Sequence, residues 1–68
     1  MSNTPKVGEI VDVRTQRFGR ATVKILAVDA EWLDTEIVNG TLVGMRDEWG
    51  PGDKKTLRAE HCTFYPAT

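Results

Sequence analysis

The sequence predicts a small all-β domain of five or six short antiparallel strands that form a closed or partly closed barrel. Its 68 residues leave room for a single domain. Short runs rich in β-branched residues alternate partly between apolar and polar side chains, and turn signals with glycine or proline separate these runs. Apart from one helical turn, no segment keeps the 3.6-residue period of a helix.

The first strand is predicted over residues 7–14, in the stretch VGEIVDVR. Residues 1–6 before it are polar and include Pro5, so we expect a flexible N-terminal arm and a domain spanning residues 7–68. Val11 and Val13 fall on one face of the strand and are the expected core pair. Gly19 ends the following stretch TQRFG and provides the permissive backbone that a turn needs.

The second and third strands are predicted over residues 20–29 and 31–38. The second strand has apolar residues on both faces, which indicates a strongly bent central strand. Its expected inner face consists of Ala21, Val23, Ile25 and Ala27. In the third strand, Leu33 and Ile37 are the expected core residues.

The pair Asn39-Gly40 predicts a hairpin after the third strand. Asn-Gly between strand-like runs favours a type I′ turn, in which both central residues have positive φ. We therefore expect residues 41–49 to return antiparallel to the third strand, with Gly44 at a bulge.

The C-terminal part is predicted to close the sheet. Residues 50–53, GPGD, have the composition of a turn, and residues 54–59 read as a short strand. A single helical turn is expected at residues 59–61, followed by a last strand at residues 62–66. Pro66 suits the end or edge of a sheet, where no ladder N–H is required.

Composition excludes several classes of protein. An apolar share of 40% and a charged share of 28% are typical of a globular domain. No apolar run approaches the roughly 20 residues of a membrane span, and the first residues lack the apolar core of a secretory signal, so we expect a cytoplasmic protein without a membrane partner.

The single cysteine and the single histidine are neighbours, His61 and Cys62. One cysteine cannot form an internal disulfide, and these two residues alone cannot supply the four ligands of a structural zinc site. Because adjacent strand residues point to opposite faces, a nucleophilic pair is also disfavoured. We expect a buried structural cysteine beside an exposed histidine, and neither a metal nor a cofactor.

Charge is distributed unevenly along the chain. Residues 1–28 carry a net +3, residues 29–53 a net −6 and residues 54–68 a net +2, for a total of −1. Such segregation could give the fold one basic and one acidic face, which would favour association with a charged partner. Alternatively, the charges are scattered over the folded surface and only keep the domain soluble.

The strand pattern resembles the SH3-like small barrels, within them the KOW and Tudor-like branch. The similarity lies in VGEIVDV at residues 7–13, GRATVKIL at residues 19–26 and TLRAEHCTFY at residues 56–65. Ala21 stands where the KOW motif often has glycine, which counts against ribosome-type RNA binding. The resemblance implies a barrel that binds peptides, modified side chains or nucleic acid through loops at one end. A free-standing barrel with its own initiator methionine would suit a phage or plasmid accessory protein.

The loop between the first two strands is the first candidate site. Arginine guanidinium groups suit phosphate or carboxylate, and an exposed phenylalanine can stack on a base or fill a pocket. Alternatively, the phenylalanine folds inward and the arginines are only solvated. The loop residues concerned are Arg14, Arg17, Phe18, Arg20 and Lys24.

Three aromatic residues form the second candidate: Trp32, Trp49 and Tyr65. With acidic neighbours they could form a cage for a methylated cation. Those neighbours are Glu31, Asp34, Asp47 and Glu48. The alternative is core packing, which we expect for Trp32 together with Phe64, whereas Trp49 beside the turn at residues 50–52 is expected at the surface.

Catalysis is not expected. The carboxylate pairs Asp34/Glu36 and Asp47/Glu48 would need a pocket and a raised pKa for acid–base chemistry, and a solvated acidic surface is the simpler interpretation.

The sequence thus predicts a non-catalytic binding protein, an adaptor or inhibitor that acts on a protein partner. The expected contact residues are Arg14, Arg17, Phe18, Arg20, Lys24 and Trp49. The alternative is a nucleic-acid-binding module that uses residues 14–24 and a second basic patch of Lys54, Lys55 and Arg58, although the net charge of −1 weighs against it. A homo-oligomer is compatible with either function.

Overall fold

The computed structural model describes residues 5–67 and contains seven β-strands and one 3-10 turn. The strands are β1 (Ile10–Thr15), β2 (Gly19–Val28), β3 (Trp32–Gly40), β4 (Leu42–Val43), β5 (Glu48–Trp49), β6 (Lys54–Arg58) and β7 (Cys62–Pro66), and the 3-10 turn is Ala59–His61. The predicted all-β class is therefore confirmed. Within residues 5–67 no helix has the length and apolar character needed to cross a membrane.

Five strands form one antiparallel sheet in the order β6-β3-β2-β1-β7. The short strands β4 and β5 pair only with each other, so they form a separate two-stranded ribbon. The strands β6 and β7 are the two edges of the large sheet, and within residues 5–67 no ladder joins them. The sheet is accordingly not closed.

One face of the sheet, called here the inner face, carries the core. Its side chains alternate with exposed or half-buried ones along β1, β2 and β3. Val11 and Val13 are buried, as predicted, and so are Leu33 and Ile37. The remaining buried hydrophobic residues are Ala21, Val23, Ile25, Leu42 and Leu57. Phe64, also expected in the core, is half-buried and packs against it.

The strand β2 departs from regular pairing at two points. Its register with β3 shifts between Thr22 and Val23 and again between Ile25 and Ala27. An extra residue in one strand of a pair interrupts the alternation of faces and bends the strand. This second shift explains why Ala27, predicted on the inner face, is exposed.

The predicted hairpin at Asn39-Gly40 is wrong. Gly40 has φ of +83°, but no non-glycine residue of the described chain has positive φ, so Asn39 cannot belong to a type I′ turn. Instead β3 continues through Gly40, which pairs with Ala21. The chain then forms the separate β4–β5 ribbon, and Gly44 lies between its strands rather than at a bulge.

Two predicted turns are observed, one between β1 and β2 and the other at residues 50–53, between β5 and β6. Buried Thr15 shapes the β1–β2 turn, since its Oγ1 accepts from Phe18 N at 2.8 Å and donates to Gly19 O at 3.0 Å. In the turn at residues 50–53, Gly50 N donates to Asp53 Oδ2 at 2.9 Å.

Residues 1–4 of the predicted N-terminal arm lie outside the described residues, as does residue 68. Pro5 is buried, and Gly8 N donates to Ile25 O at 2.7 Å, which holds the start of the described chain against β2.

Candidate functional site

The residues of the predicted basic loop, around the β1–β2 turn, lie on two different surfaces of the domain. Arg14 lies directly opposite Arg20 in the β1–β2 register, and Lys24 is on the same, outer face of the sheet. Phe18 turns the other way and packs against the core, so the inward alternative for this residue is the observed one. Arg17 and Phe18 border a groove that none of Arg14, Arg20 and Lys24 lines. The five loop residues therefore do not form one continuous site.

Phe18, Trp49 and Lys55 form an aromatic cluster with a cation in it. The rings of Phe18 and Trp49 meet edge to face, with centroids 5.6 Å apart and planes at 78°. Lys55 Nζ lies 4.7 Å from the Phe18 centroid and 4.2 Å from the Trp49 centroid, within the range of cation–π attraction. Lys55, predicted as part of a separate basic patch, is thus joined to the β1–β2 turn.

The ribbon of β4 and β5 covers this cluster. Val43 N donates to Phe18 O at 2.9 Å, and a Cβ placed on Gly44 would lie 3.2 Å from the Trp49 ring. Glycine at position 44 therefore allows the tryptophan to approach the ribbon backbone. Trp49, expected at the surface, is half-buried as a result.

Trp32 is not a core residue, contrary to expectation, because 46% of it is exposed. It precedes Leu33, whose side chain is fully buried, and neighbouring residues of a strand point to opposite faces. Trp32 pairs across the sheet with Arg58, whose guanidinium carbon lies 5.6 Å from the indole ring centroid. Arg58 also forms an ion pair with Glu60, with an Nε–Oε1 distance of 3.1 Å.

One groove of about 230 Å³, here called the β6 groove, lies between β6 and the β1–β2 turn, and four of these side chains border it: Phe18, Trp32, Lys55 and Arg58. The cationic, aromatic and imidazole side chains that line it are Arg17, Phe18, Trp32, Lys55, Arg58 and His61. No aspartate or glutamate of the described chain lines it. The groove is therefore suited to an anionic group attached to an apolar or planar one.

Cys62 also lines the β6 groove and is half-buried, rather than fully buried as predicted. Its Sγ donates to Arg58 O at 3.3 Å. Partial burial disfavours the charged thiolate and raises the pKa of Cys62 from 9.0 to about 11. The neighbouring His61, expected to be exposed, is half-buried with Nε2 3.6 Å from Glu60 Oε1.

We expect Cys62 to react slowly with iodoacetamide. The thiolate is the nucleophile, so a pKa near 11 leaves it scarce at pH 8, and alkylation of the folded chain should be roughly ten- to a hundredfold slower than in urea. The rate should keep rising with pH up to about 11. Equal rates in the folded and urea-unfolded chain at pH 8, followed by mass spectrometry, would contradict this environment for the thiol.

The outer face has a second hollow, of about 240 Å³, next to the arginine pair. Tyr65, Asp12, Thr22 and Asn39 lie in register across four strands and line it together with Arg20. Asp12 Oδ1 accepts from Thr22 Oγ1, and 46% of Tyr65 is exposed.

The predicted aromatic cage is not assembled. Tyr65 lines the hollow on the outer face, whereas Trp49 packs on Phe18 over the inner face and Trp32 borders the β6 groove.

The acidic residues do not form an isolated surface on the sheet. In the cross-strand register Glu36 lies between Lys24 of β2 and Lys54 of β6, and Asp34 Oδ1 accepts from Thr56 Oγ1 at 2.8 Å. Charges of opposite sign thus alternate across three strands. Within residues 5–67 no three histidine, cysteine, aspartate or glutamate side chains come close enough to hold a metal ion.

The sequence pointed to both cationic segments of the β6 groove but not to their union. Residues 17–18 and 55–58 are far apart in the chain and meet only through the sheet order β6-β3-β2-β1. The partial signal was the placement of aromatic residues near each basic segment.

Compared with known proteins, the chain matches no family model, no curated protein and no solved structure.

Proposed function

We propose that this chain is a small non-catalytic binding protein, an adaptor or inhibitor, whose β6 groove receives an acidic segment of a partner protein. The observation that carries the proposal is the lining of that groove, in which Lys55 and Arg58 lie against aromatic rings with no carboxylate of the described chain among the lining residues. Arginine and tryptophan are the side chains most enriched at the energetic centres of protein interfaces.

The size of the groove favours a protein segment over a small metabolite. Its volume of about 230 Å³ is below the range of roughly 300–1,000 Å³ that is usual for small-molecule sites. A few side chains of a partner segment would fill it, and the remaining contacts would fall on its rim. Neither Arg17 nor Lys55 forms an ion pair with a carboxylate of residues 5–67, so the partner's carboxylates would supply their counter-ions.

The expected SH3-like arrangement and cytoplasmic location belong to the same proposal. The strand order β6-β3-β2-β1-β7 with a 3-10 turn between β6 and β7 supports the SH3-like assignment, and the single cysteine suits a reducing compartment.

The proposal predicts that Arg17→Glu abolishes capture of the partner, since it places a carboxylate in the groove. Arg20→Glu is the matched control, because Arg20 is three residues away but lies on the outer face. We expect Arg20→Glu to retain capture in a pull-down from lysate, followed by cross-linking and mass spectrometry. Trp49→Ala is less suitable, because Trp49 packs against the core and its loss would also affect folding.

Circular dichroism and urea unfolding of both variants would verify that each is folded. Loss of the same cross-linked protein with Arg20→Glu but not with Arg17→Glu would place the interface on the outer face and overturn the proposal.

A second candidate, nucleic-acid binding on the outer face, has its own observation. Arg14 and Arg20 are directly opposed, and neither forms an ion pair with a carboxylate of residues 5–67. Like charges opposite each other destabilise a sheet, and a phosphate between them would remove the repulsion. Exposed Tyr65 in the adjacent hollow could stack on a base.

This candidate predicts a gel shift with single-stranded RNA or DNA at low salt. The shift should weaken steeply as salt rises, disappear in the double variant Arg14→Ala/Arg20→Ala, and persist in Arg17→Ala. If no nucleic acid is retarded at low ionic strength, the candidate fails, and the protein-binding proposal is unaffected.

A further inference from the structure

The backbone of β6 has one side without a partner strand. β6 pairs with β3 in a register that places Trp32 opposite Arg58 and Thr35 opposite Lys55. On its other side, within residues 5–67, β6 has no strand neighbour. An unpaired strand edge presents a row of backbone donors and acceptors that another extended segment can use.

The hydrogen bonds at the two ends of this ladder show which groups of β6 face outward. Ala59 N donates to Glu31 O at 2.9 Å, and Ile37 N donates to Asp53 O at 2.8 Å. In an antiparallel pair the hydrogen-bonded positions recur at every second residue. Positions 55 and 57 of β6 therefore bond to β3, whereas positions 54, 56 and 58 direct their N–H and C=O away from it.

The outward backbone opens into the β6 groove. Four consecutive residues of β6, positions 55–58, line this groove, as expected where a strand is seen from its edge. Arg58 O is already taken, since it accepts from Cys62 Sγ. Thr56 N and O point away from β3, and no other hydrogen-bond partner for them occurs within residues 5–67. Thr56 is therefore the residue at the centre of the strand edge whose backbone groups are available to a ligand.

We propose that the acidic partner segment binds in an extended conformation and adds a strand to β6, with hydrogen bonds to Thr56. The inference rests on the proposed function and specifies how the groove is occupied. Main-chain bonds would provide affinity, and alternate side chains of the segment would provide selectivity. A segment of about five residues, roughly 17 Å long, matches the length of β6.

Positively charged side chains lie on both sides of this edge, so the bound segment should carry carboxylates. Lys55 is held on one side by Phe18 and Trp49, and Arg58 on the other by Trp32. Side chains of an added strand alternate between these two sides, so carboxylates on one side would meet Lys55 and those on the other would compete with Glu60 for Arg58. Because aromatic contacts already restrain both cations, less side-chain entropy is lost on binding.

Amide hydrogen exchange of the free protein tests the premise without a partner. The Thr56 amide should exchange about a hundredfold or more faster than the Leu57 amide, because only the latter is bonded to β3. Equal slow exchange at both amides would mean that the edge is already paired, and would overturn the inference.

A defined peptide tests the binding itself. The probe is a seven-residue peptide of alternating Glu and Val with blocked ends, followed by amide chemical shifts of the ¹⁵N-labelled protein. Two further versions carry N-methyl groups, one at the Glu and one at the Val positions. Since only alternate amides of an added strand face β6, one methylated version should bind about tenfold or more weakly than the parent.

A pair of variants at Thr56 completes the test. Proline is accepted at an edge where the N–H faces away from the sheet, so Thr56→Pro should fold yet bind the peptide about tenfold or more weakly, whereas Thr56→Ala keeps the N–H and should bind normally. Equal binding of the parent and both methylated peptides would overturn strand addition while leaving the groove as a side-chain site. Absence of any saturable shift would also overturn it, whereas the dependence of capture on Arg17 tests the proposed function separately.

Discussion

Ile25→Ala should lower the free energy of unfolding by about 2–5 kcal/mol, the usual range for truncating a buried aliphatic side chain. Ile25 is 0% exposed and belongs to the hydrophobic core cluster. A domain of this length has a stability of only about 3–10 kcal/mol, from roughly 0.05–0.15 kcal/mol per residue. The variant should therefore lose a large share of the stability of the domain, as measured by urea unfolding followed by circular dichroism.

Ile10→Ala is the matched control for this change. Ile10 is the same residue type in a strand of the same sheet, but 48% of it is exposed. We expect a loss below about 1 kcal/mol, as is usual for surface positions. Similar losses at positions 10 and 25 would show that the core is not where the structure places it.

Gly40→Ala should lower the free energy of unfolding by roughly 2–3 kcal/mol, because strain and crowding act together. Gly40 has φ of +83°, which side-chain-bearing residues rarely adopt. A Cβ at this position would also lie 3.3 Å from Ala21 Cα, and a backbone atom within a paired strand cannot easily move.

Gly8→Ala separates the two effects. Gly8 has a similar φ of +89°, but nothing lies within 4 Å of an added Cβ. Its loss should be about 1 kcal/mol, from strain alone. A result in which Gly8→Ala is as damaging as Gly40→Ala would show that the close approach of β3 to β2 contributes nothing, contrary to our expectation.

The elements that local chemistry determines were predicted well from the sequence. The β1–β2 turn, the turn at residues 50–53 and the 3-10 turn at residues 59–61 all occur where glycine, proline or a break in alternation indicated them. Val11 and Val13 were correctly placed in the core, because one strand with period-two alternation has only two possible orientations.

Features that depend on distant parts of the chain were not predicted. Asn39-Gly40 has the composition of a tight hairpin, but pairing of Gly40 with Ala21 keeps β3 extended through this point. The orientation of Trp32 follows from that of Leu33, which is buried directly opposite Leu57 in the register with β6. Similarly, the shift after Ile25 that turns Ala27 outward arises from pairing between strands and not from composition.

The candidate site was predicted as separate pieces. Arg17, Phe18, Lys55 and Arg58 were all selected as binding residues, since charge and aromaticity are visible in sequence. Their assembly into the β6 groove, with Trp32 as a further wall, requires the order of strands in the sheet. Arg14 and Arg20 are separated from them because they lie on the outer face of the sheet, although both are within three residues of Arg17.

The charge of the β6 edge also bears on how copies of this chain behave at high concentration. Lys54, Lys55 and Arg58 give this five-residue strand three positive charges, so two copies that met edge to edge would repel each other. At an ionic strength of 0.1 M, such repulsion is largely screened between charges that are more than about 10 Å apart. Self-association through this strand should therefore increase with ionic strength, the reverse of the behaviour expected for capture of an acidic polypeptide.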